Sequence, residues 1–415
     1  MTLTLRAARR VAALVALAAI AAFNSARANH YILPCGDECS DPRWVLTGSL
    51  NTARQNHTAT LLRNGKLLVA GGSDDNGTVL ASAELYDPTT GTWSLTGLMT
   101  APHAGHFAFA LPSGAVLVIG GDQPCCQTNI TAELYDPDTG TWSPAGNRGP
   151  IVGIIVATML QTGKVLVIDA IPYTADTWLY DPAQQAWSQA SVGQVYRQYP
   201  DVTLLQDGKV LVGGGTIDAD EVVTAPGAEL YDAATGAWSM TGSPSVLREG
   251  GTDTALPDGR VLATGGFSCS WIPDRYPGIT CSALLRSSEF YGQDGIWRPA
   301  GDLNEARTSH TATLVPGGQV LIAGGYVWSG DSQLGTFSDR SLKSAELYDP
   351  ATAAWRYTSS LNVARMRHTA TLLDDGSVLV VGGLGGDSSS GHAVLSSAEI
   401  YSRRGTVRLE VDLAP

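Results

Sequence analysis

The chain has 415 residues, more than one ordinary domain holds unless a repeat fills it. Charged residues make up 16%, hydrophobic residues 44%, and there are 47 glycines, which excludes a disordered or collagen-like chain and suits strands and turns. A net charge of −13 excludes a general attraction to polyanions, so neither nucleic acid nor an anionic membrane is an expected partner.

Residues 1–28 read as a signal peptide. Arg6, Arg9 and Arg10 precede an apolar run from Val11 to Phe23, and Ala26-Arg27-Ala28 fits the small-residue cleavage rule. The run is shorter than the ~20 residues that span a bilayer. The expected destination is therefore outside the cell or in a periplasm, with no membrane span. Residues 29–40 form an N-terminal segment carrying Cys35 and Cys39. An even set of six cysteines suits an oxidising compartment. Cys269 and Cys281 share one predicted loop and are expected to pair, with Cys35 and Cys39 as the next pair. A bridge between the adjacent Cys125 and Cys126 would be strained, and their state is left open.

From residue 41 to 405 the sequence repeats at roughly fifty residues. A unit reads as an "HTATLL" strand, a Gly turn, a "KLLVAGG" strand, a variable loop, and then "SAELYDPTTGTW". The tyrosine column is Tyr86, Tyr135, Tyr180, Tyr231, Tyr291, Tyr348 and Tyr401. The third unit departs, with Asp169-Ala170 where the others carry paired glycines. Strands such as Leu67–Ala70 lack polar alternation, as strands buried on both faces do. A single sheet of this kind needs a neighbour on each side.

The double glycine followed by tyrosine and, about seven residues later, tryptophan resembles the kelch family across essentially the whole mature chain. The resemblance implies an all-β, seven-bladed kelch β-propeller with four-stranded antiparallel blades. Trp93, Trp142, Trp187, Trp238, Trp297 and Trp355 follow the first six tyrosines, and no tryptophan follows Tyr401. Instead Trp44 precedes the first unit, followed by Leu46-Thr47-Gly48 as Trp93 is by Leu95-Thr96-Gly97. The N-terminal strand around Trp44 is thus expected to close the ring as the outer strand of the last blade. Thr406 to Val411 is the rival strand; otherwise 406–415 is a tail.

Two columns fall where the innermost strands begin. The first holds Arg54, His103, Val152, Arg197, Arg248, Arg307 and Arg365; the second holds His57, His106, Ile155, Pro200, Gly251, His310 and His368. A residue that recurs in most blades ordinarily serves the repeat. The sharper alternative is an arginine crown for an anionic ligand, since the guanidinium fork matches carboxylates. A metal held by the histidine arc of blades six, seven, one and two is the remote alternative, because equivalent residues on neighbouring blades lie too far apart. Glu84, Glu133, Glu229, Glu289, Glu346 and Glu399, two before the tyrosines, read as paired structural carboxylates.

Asymmetry enters through the loops after the glycine pairs, longest in blades five and six. Trp271 and Tyr276 in the first, and Tyr326 and Trp328 in the second, are candidate ligand contacts; the second loop also carries Asp339 and Arg340. The repeat is also similar to that of the galactose oxidase and glyoxal oxidase propellers. Their copper site needs a Tyr-His pair on an innermost strand, whereas Asn56, Gly105, Ser309 and Arg367 precede the aligned histidines. Copper is therefore disfavoured and no catalytic residue is carried across. No other catalytic motif is present. The expectation is a noncatalytic, monomeric binding protein for an extracellular protein or carbohydrate, with a secreted galactose-oxidase-like or carbohydrate-active enzyme as the alternative. Asn56, Asn76 and Asn129 head glycosylation sequons.

Overall fold

A computed structural model describes residues 31–34, 42–121, 131–146, 155–169, 176–195, 197, 200–215, 227–271, 279–329, 338–402 and 406–409. All regular structure among them is β-strand. Among the described residues, seven four-stranded antiparallel sheets follow one another along the chain, numbered below as blades one to seven. Their innermost strands are Thr58–Leu61, Phe107–Ala110, Ile155–Met159, Asp201–Leu204, Thr252–Ala255, Thr311–Val315 and Thr369–Leu372. Each lies against the next, and the last lies against the first.

The second strand of each blade shows why the sheets stack. Leu67–Ala70, Val116–Ile119 and Val378–Val381 are buried at every position. Side chains alternate across a strand, so one strand serves two interfaces. Leu67 and Val69 pack with Leu379 and Val381 of blade seven, whereas Leu68 and Ala70 pack with Val116 and Val118 of blade two. Each such side chain contributes about 1.5–3 kcal/mol on full burial, which no lone blade could collect.

The ring closes as expected. Strand Arg43–Thr47 pairs antiparallel with Ala398–Ser402, with Trp44 opposite Tyr401. Their rings lie 5.0 Å apart, and Trp44 Nε1 donates to Ser359 O at 2.9 Å. The rival strand, Thr406–Leu409, pairs instead with Tyr31–Pro34. Asp41–Arg403 forms one compact unit, and residues 1–40 and 404–415 contribute to another.

The loops after the glycine pairs carry strands of their own. In blade five, Phe267–Trp271 pairs with Ile279–Leu284, and the backbone register sets Cys269 opposite Cys281. In blade six, Tyr326–Ser329 pairs with Ser338–Ser341. In blade seven, Leu384–Asp387 pairs with Gly391–Val394. The last two hairpins join at Arg340 and Asp387 into an eighth four-stranded sheet that bridges two blades.

Candidate ligand-binding face

The arginine column lies inside the blades. Arg54, Arg307 and Arg365 are 0% exposed, and Arg197 and Arg248 are buried. Arg365 shows the pattern: Nη1 donates to Gly382 O and Ser397 O at 2.8 and 3.0 Å, and Nη2 donates to Glu399 Oε1 at 2.9 Å. Arg54–Glu84, Arg307–Glu346 and Arg248–Glu289 pair in the same way. Arg197 Nε lies 3.8 Å from Glu229 Oε2, and its Nη2 donates to Gly227 O at 2.7 Å. The glutamates also accept backbone N–H groups from the segment entering the blade, as Glu399 does from Asn362 and Val363. Fork and carboxylate together fasten that segment to the third strand, so no open crown of donors is left for an anion. Blade two substitutes histidine: His103 Nδ1 lies 2.6 Å from Gly120 O and Nε2 3.2 Å from Glu133 Oε1. With an acceptor at each nitrogen, both ring nitrogens are placed to donate, as the arginine fork does elsewhere.

The histidine column stitches blades together. Nε2 of His57, His106, His310 and His368 bonds the first hydroxyl of the preceding blade: Thr369, Thr58, Thr252 and Thr311, at 2.7–3.1 Å. Burial drives the pKa of His57 and His310 down to about 3, and that of His368 well below the ordinary value. The double glycines make room for this arrangement. A Cβ on Gly382 would meet Arg54 O at 2.5 Å and His57 Cε1 at 2.9 Å, and its φ is +59°. Only glycine accepts both demands without strain.

One aromatic group spans the loops of three blades. Phe267 meets Trp328 at 5.5 Å, Trp328 meets Tyr326 at 5.6 Å, and Tyr326 meets His392 at 6.4 Å between ring centroids. The pleat sets Tyr326, Trp328, Asp339 and His392 on one face of the loop sheet. The Tyr326 hydroxyl donates to Asp339 Oδ2, which also lies 3.4 Å from His392 Nε2. Burial, and then Asp339 as hydrogen-bond partner, raise the Tyr326 pKa, so the phenol keeps its proton. A cleft of about 580 Å³ opens beside this sheet, lined by Trp328, Asp339, Arg340 and Asp387 together with Glu305 and Leu284. That volume falls in the range of small-molecule sites.

The kelch motif model matches residues 56–96 and 307–362. The chain carries kelch motifs in these two segments on a β-propeller fold. Among solved structures it is similar to a copper complex of a fungal alcohol oxidase of the AA5 family, with TM-score 0.64 and 18% identity over 87% of this chain and 76% of that one. It is also similar to YjhT, with TM-score 0.51 and 12% identity over 85% of this chain and 96% of that one. At these identities the likeness is one of fold.

Within the propeller the sequence candidates divide. Arg54, Arg197, Arg248, Arg307 and Arg365 are structural partners of the glutamate column. Tyr326 and Trp328 come together on the loop sheet. Trp271 is described in its backbone alone, and Tyr276, Cys35, Cys39, Cys125, Cys126 and Asn129 lie outside the described residues, as do the sulfurs of Cys269 and Cys281. His392 and the blade-seven hairpin were not anticipated. Their signal is the turn run Asp387-Ser388-Ser389-Ser390-Gly391 between two short strands.

Proposed function

We propose that this propeller is an exported, noncatalytic binding protein that presents the loops of blades five to seven to an extracellular protein or carbohydrate, acting as a monomer. The carrying observation is the Phe267–Trp328–Tyr326–His392 group, contributed by three separate loops beside a cleft. Rigid aromatics beside a polar rim supply contact area at small entropic cost. The leader in residues 1–28 supports export, and no helix among the described residues is long and apolar enough to cross a membrane.

Copper does not suit the residues present. His57, His106, His310 and His368 each have Nε2 engaged by a neighbouring blade's threonine, and His103, the second buried histidine of blade two, is held between Gly120 O and Glu133. Asn56, Ser309 and Arg367, which precede three of them, take left-handed φ of 52–54° and offer no phenol. We therefore infer that no copper-radical step operates, and stoichiometric copper in purified protein would reverse this reading. The direct test is a glycan and protein array probed with the mature chain and with Trp328→Ala. Binding in the wild type that falls at least about tenfold in the variant supports the reading. Binding that ignores every change in these three loops overturns it.

A further inference from the structure

We propose that the joint between blades four and five is a proton-dependent seam, closed while Asp201 and Asp253 keep a proton between them and loosened once both are ionised. The seam is a device of the ring itself and does not depend on the ligand face.

This joint departs from the histidine joints at three positions. There, a histidine bonds the first threonine of the preceding blade; here Gly251 stands in the histidine column and Asp201 in place of that threonine. Asp253 stands where blades one, six and seven carry Ala59, Ala312 and Ala370. The packing follows the exchange. A Cβ on Gly71, Gly265, Gly324 or Gly382 would meet the Cε1 of the next blade's histidine at 2.8–2.9 Å, whereas one on Gly214 would meet Asp201 Oδ2 at 3.2 Å. The carboxyl of blade four thus lies against the glycine that elsewhere cradles an imidazole. In blade five, Thr252 turns toward blade six, with Oγ1 3.1 Å from His310 Nε2. The pleat turns its neighbour Asp253 the other way, toward blade four.

Asp201, Asp253 and Arg248 line one cavity of about 10 Å³, room for about one water molecule. The second strands on either side bring it only Gly213 and Ala263, which carry no charge. Among the described residues no hydrogen bond reaches either carboxyl. The Arg248 guanidinium is committed elsewhere, to Gly265 O and Ser287 O at 2.9 Å each and to Glu289 Oε2 at 3.1 Å. Two like charges in so poorly hydrated a site cannot both form cheaply. Burial and then the Asp253 charge raise the Asp201 pKa well above the carboxylate range, with Arg248 opposing and Glu249 adding. Burial, opposed by Arg248, lifts that of Asp253 to about 6. An acid whose folded pKa lies above the unfolded ~3.9 stabilises the fold at low pH and loses that contribution as pH rises through the folded value. The histidine joints run the other way. The seam also adjoins the aromatic group, because Glu249 exchanges two backbone hydrogen bonds with Phe267.

The test is native-state amide hydrogen exchange of the full mature chain at pH 5 and pH 8, corrected for intrinsic rates. Relative to Thr311–Val315 and Thr369–Leu372, protection of Asp201–Leu204 and Thr252–Ala255 is expected to fall at least about tenfold between the two pH values. Joint replacement by Asp201→Asn and Asp253→Asn, with folding checked by its melt at pH 5, should abolish that fall. An equal change in all four strands, or a fall that persists without the two carboxyls, overturns the seam. The wild-type comparison decides even if the double variant does not fold, and neither result bears on array binding by the ligand face.

Discussion

At the scale of single residues, the arginine column and its service to the repeat were visible from recurrence alone, but its partner was not. Sequence shows that Arg365 and Glu399 recur with their blades; it does not show that Nη2 and Oε1 meet at 2.9 Å in a site closed to water. Removing one member of such a pair strands the other. Arg365→Ala is therefore expected to cost about 3–5 kcal/mol in urea unfolding, and a cost under about 1 kcal/mol would mean the pair is not what fastens the blade. His103→Arg should restore the fork in blade two and leave stability unchanged or higher, whereas His103→Ala should lower it. The buried histidines set a pH dependence. Their folded pKa values lie far below the unfolded ~6.5, at about 3 for His57 and His310. Between those limits the unfolded chain binds protons that the folded chain refuses, so stability is lost as pH falls from about 6.5 toward 3. Each histidine contributes a slope of up to about 1.4 kcal/mol per pH unit. Asp201 and Asp253 act in the opposite sense, because burial and then their mutual repulsion raise the Asp201 pKa, and burial lifts that of Asp253 to about 6. Glu249, also raised by burial, acts with the aspartates, so the histidine contribution is read by difference: between pH 7.5 and pH 5 the urea midpoint of the wild type should fall relative to that of His310→Gln. Parallel pH profiles of the two would contradict the buried neutral imidazole.

At the scale of elements, the unbroken burial of the second strands and the recurrence of tyrosine and tryptophan on the two outer strands were both legible. They are local patterns repeated often enough to align. The closing strand was legible for the same reason, since Trp44 carries the motif that Tyr401 lacks on its own side. Trp44→Ala should cost about 3–5 kcal/mol, as a large buried aromatic does. Gly382→Ala should cost at least about 1 kcal/mol, since φ is +59° and the methyl would meet backbone. Both are read by chemical unfolding, and a neutral result in either would place that residue outside the closure. The loop sheet was only half legible. Tyr326 and Trp328 stood out as aromatics in a long loop, but the strand that completes their sheet comes from another blade. That pairing, through Arg340 and Asp387, is set by the ring's geometry and leaves no local periodicity to read.

At the scale of the molecule, repeat and function separate by symmetry. Arginine, glutamate, histidine and glycine columns recur because every blade must hold its neighbour, so they mark the ring rather than a site. What breaks the symmetry, the joined hairpins and the aromatic group across blades five to seven, is where ligand chemistry has room to differ. All of it presupposes that Arg43–Thr47 locks the last blade to the first. Native-state amide hydrogen exchange of that strand, set against Ala398–Ser402 beside it, tests this directly. The two should exchange together, at a rate set by opening of the whole ring. Exchange of Arg43–Thr47 orders of magnitude faster than its partner would show a frayed end in place of a clasp.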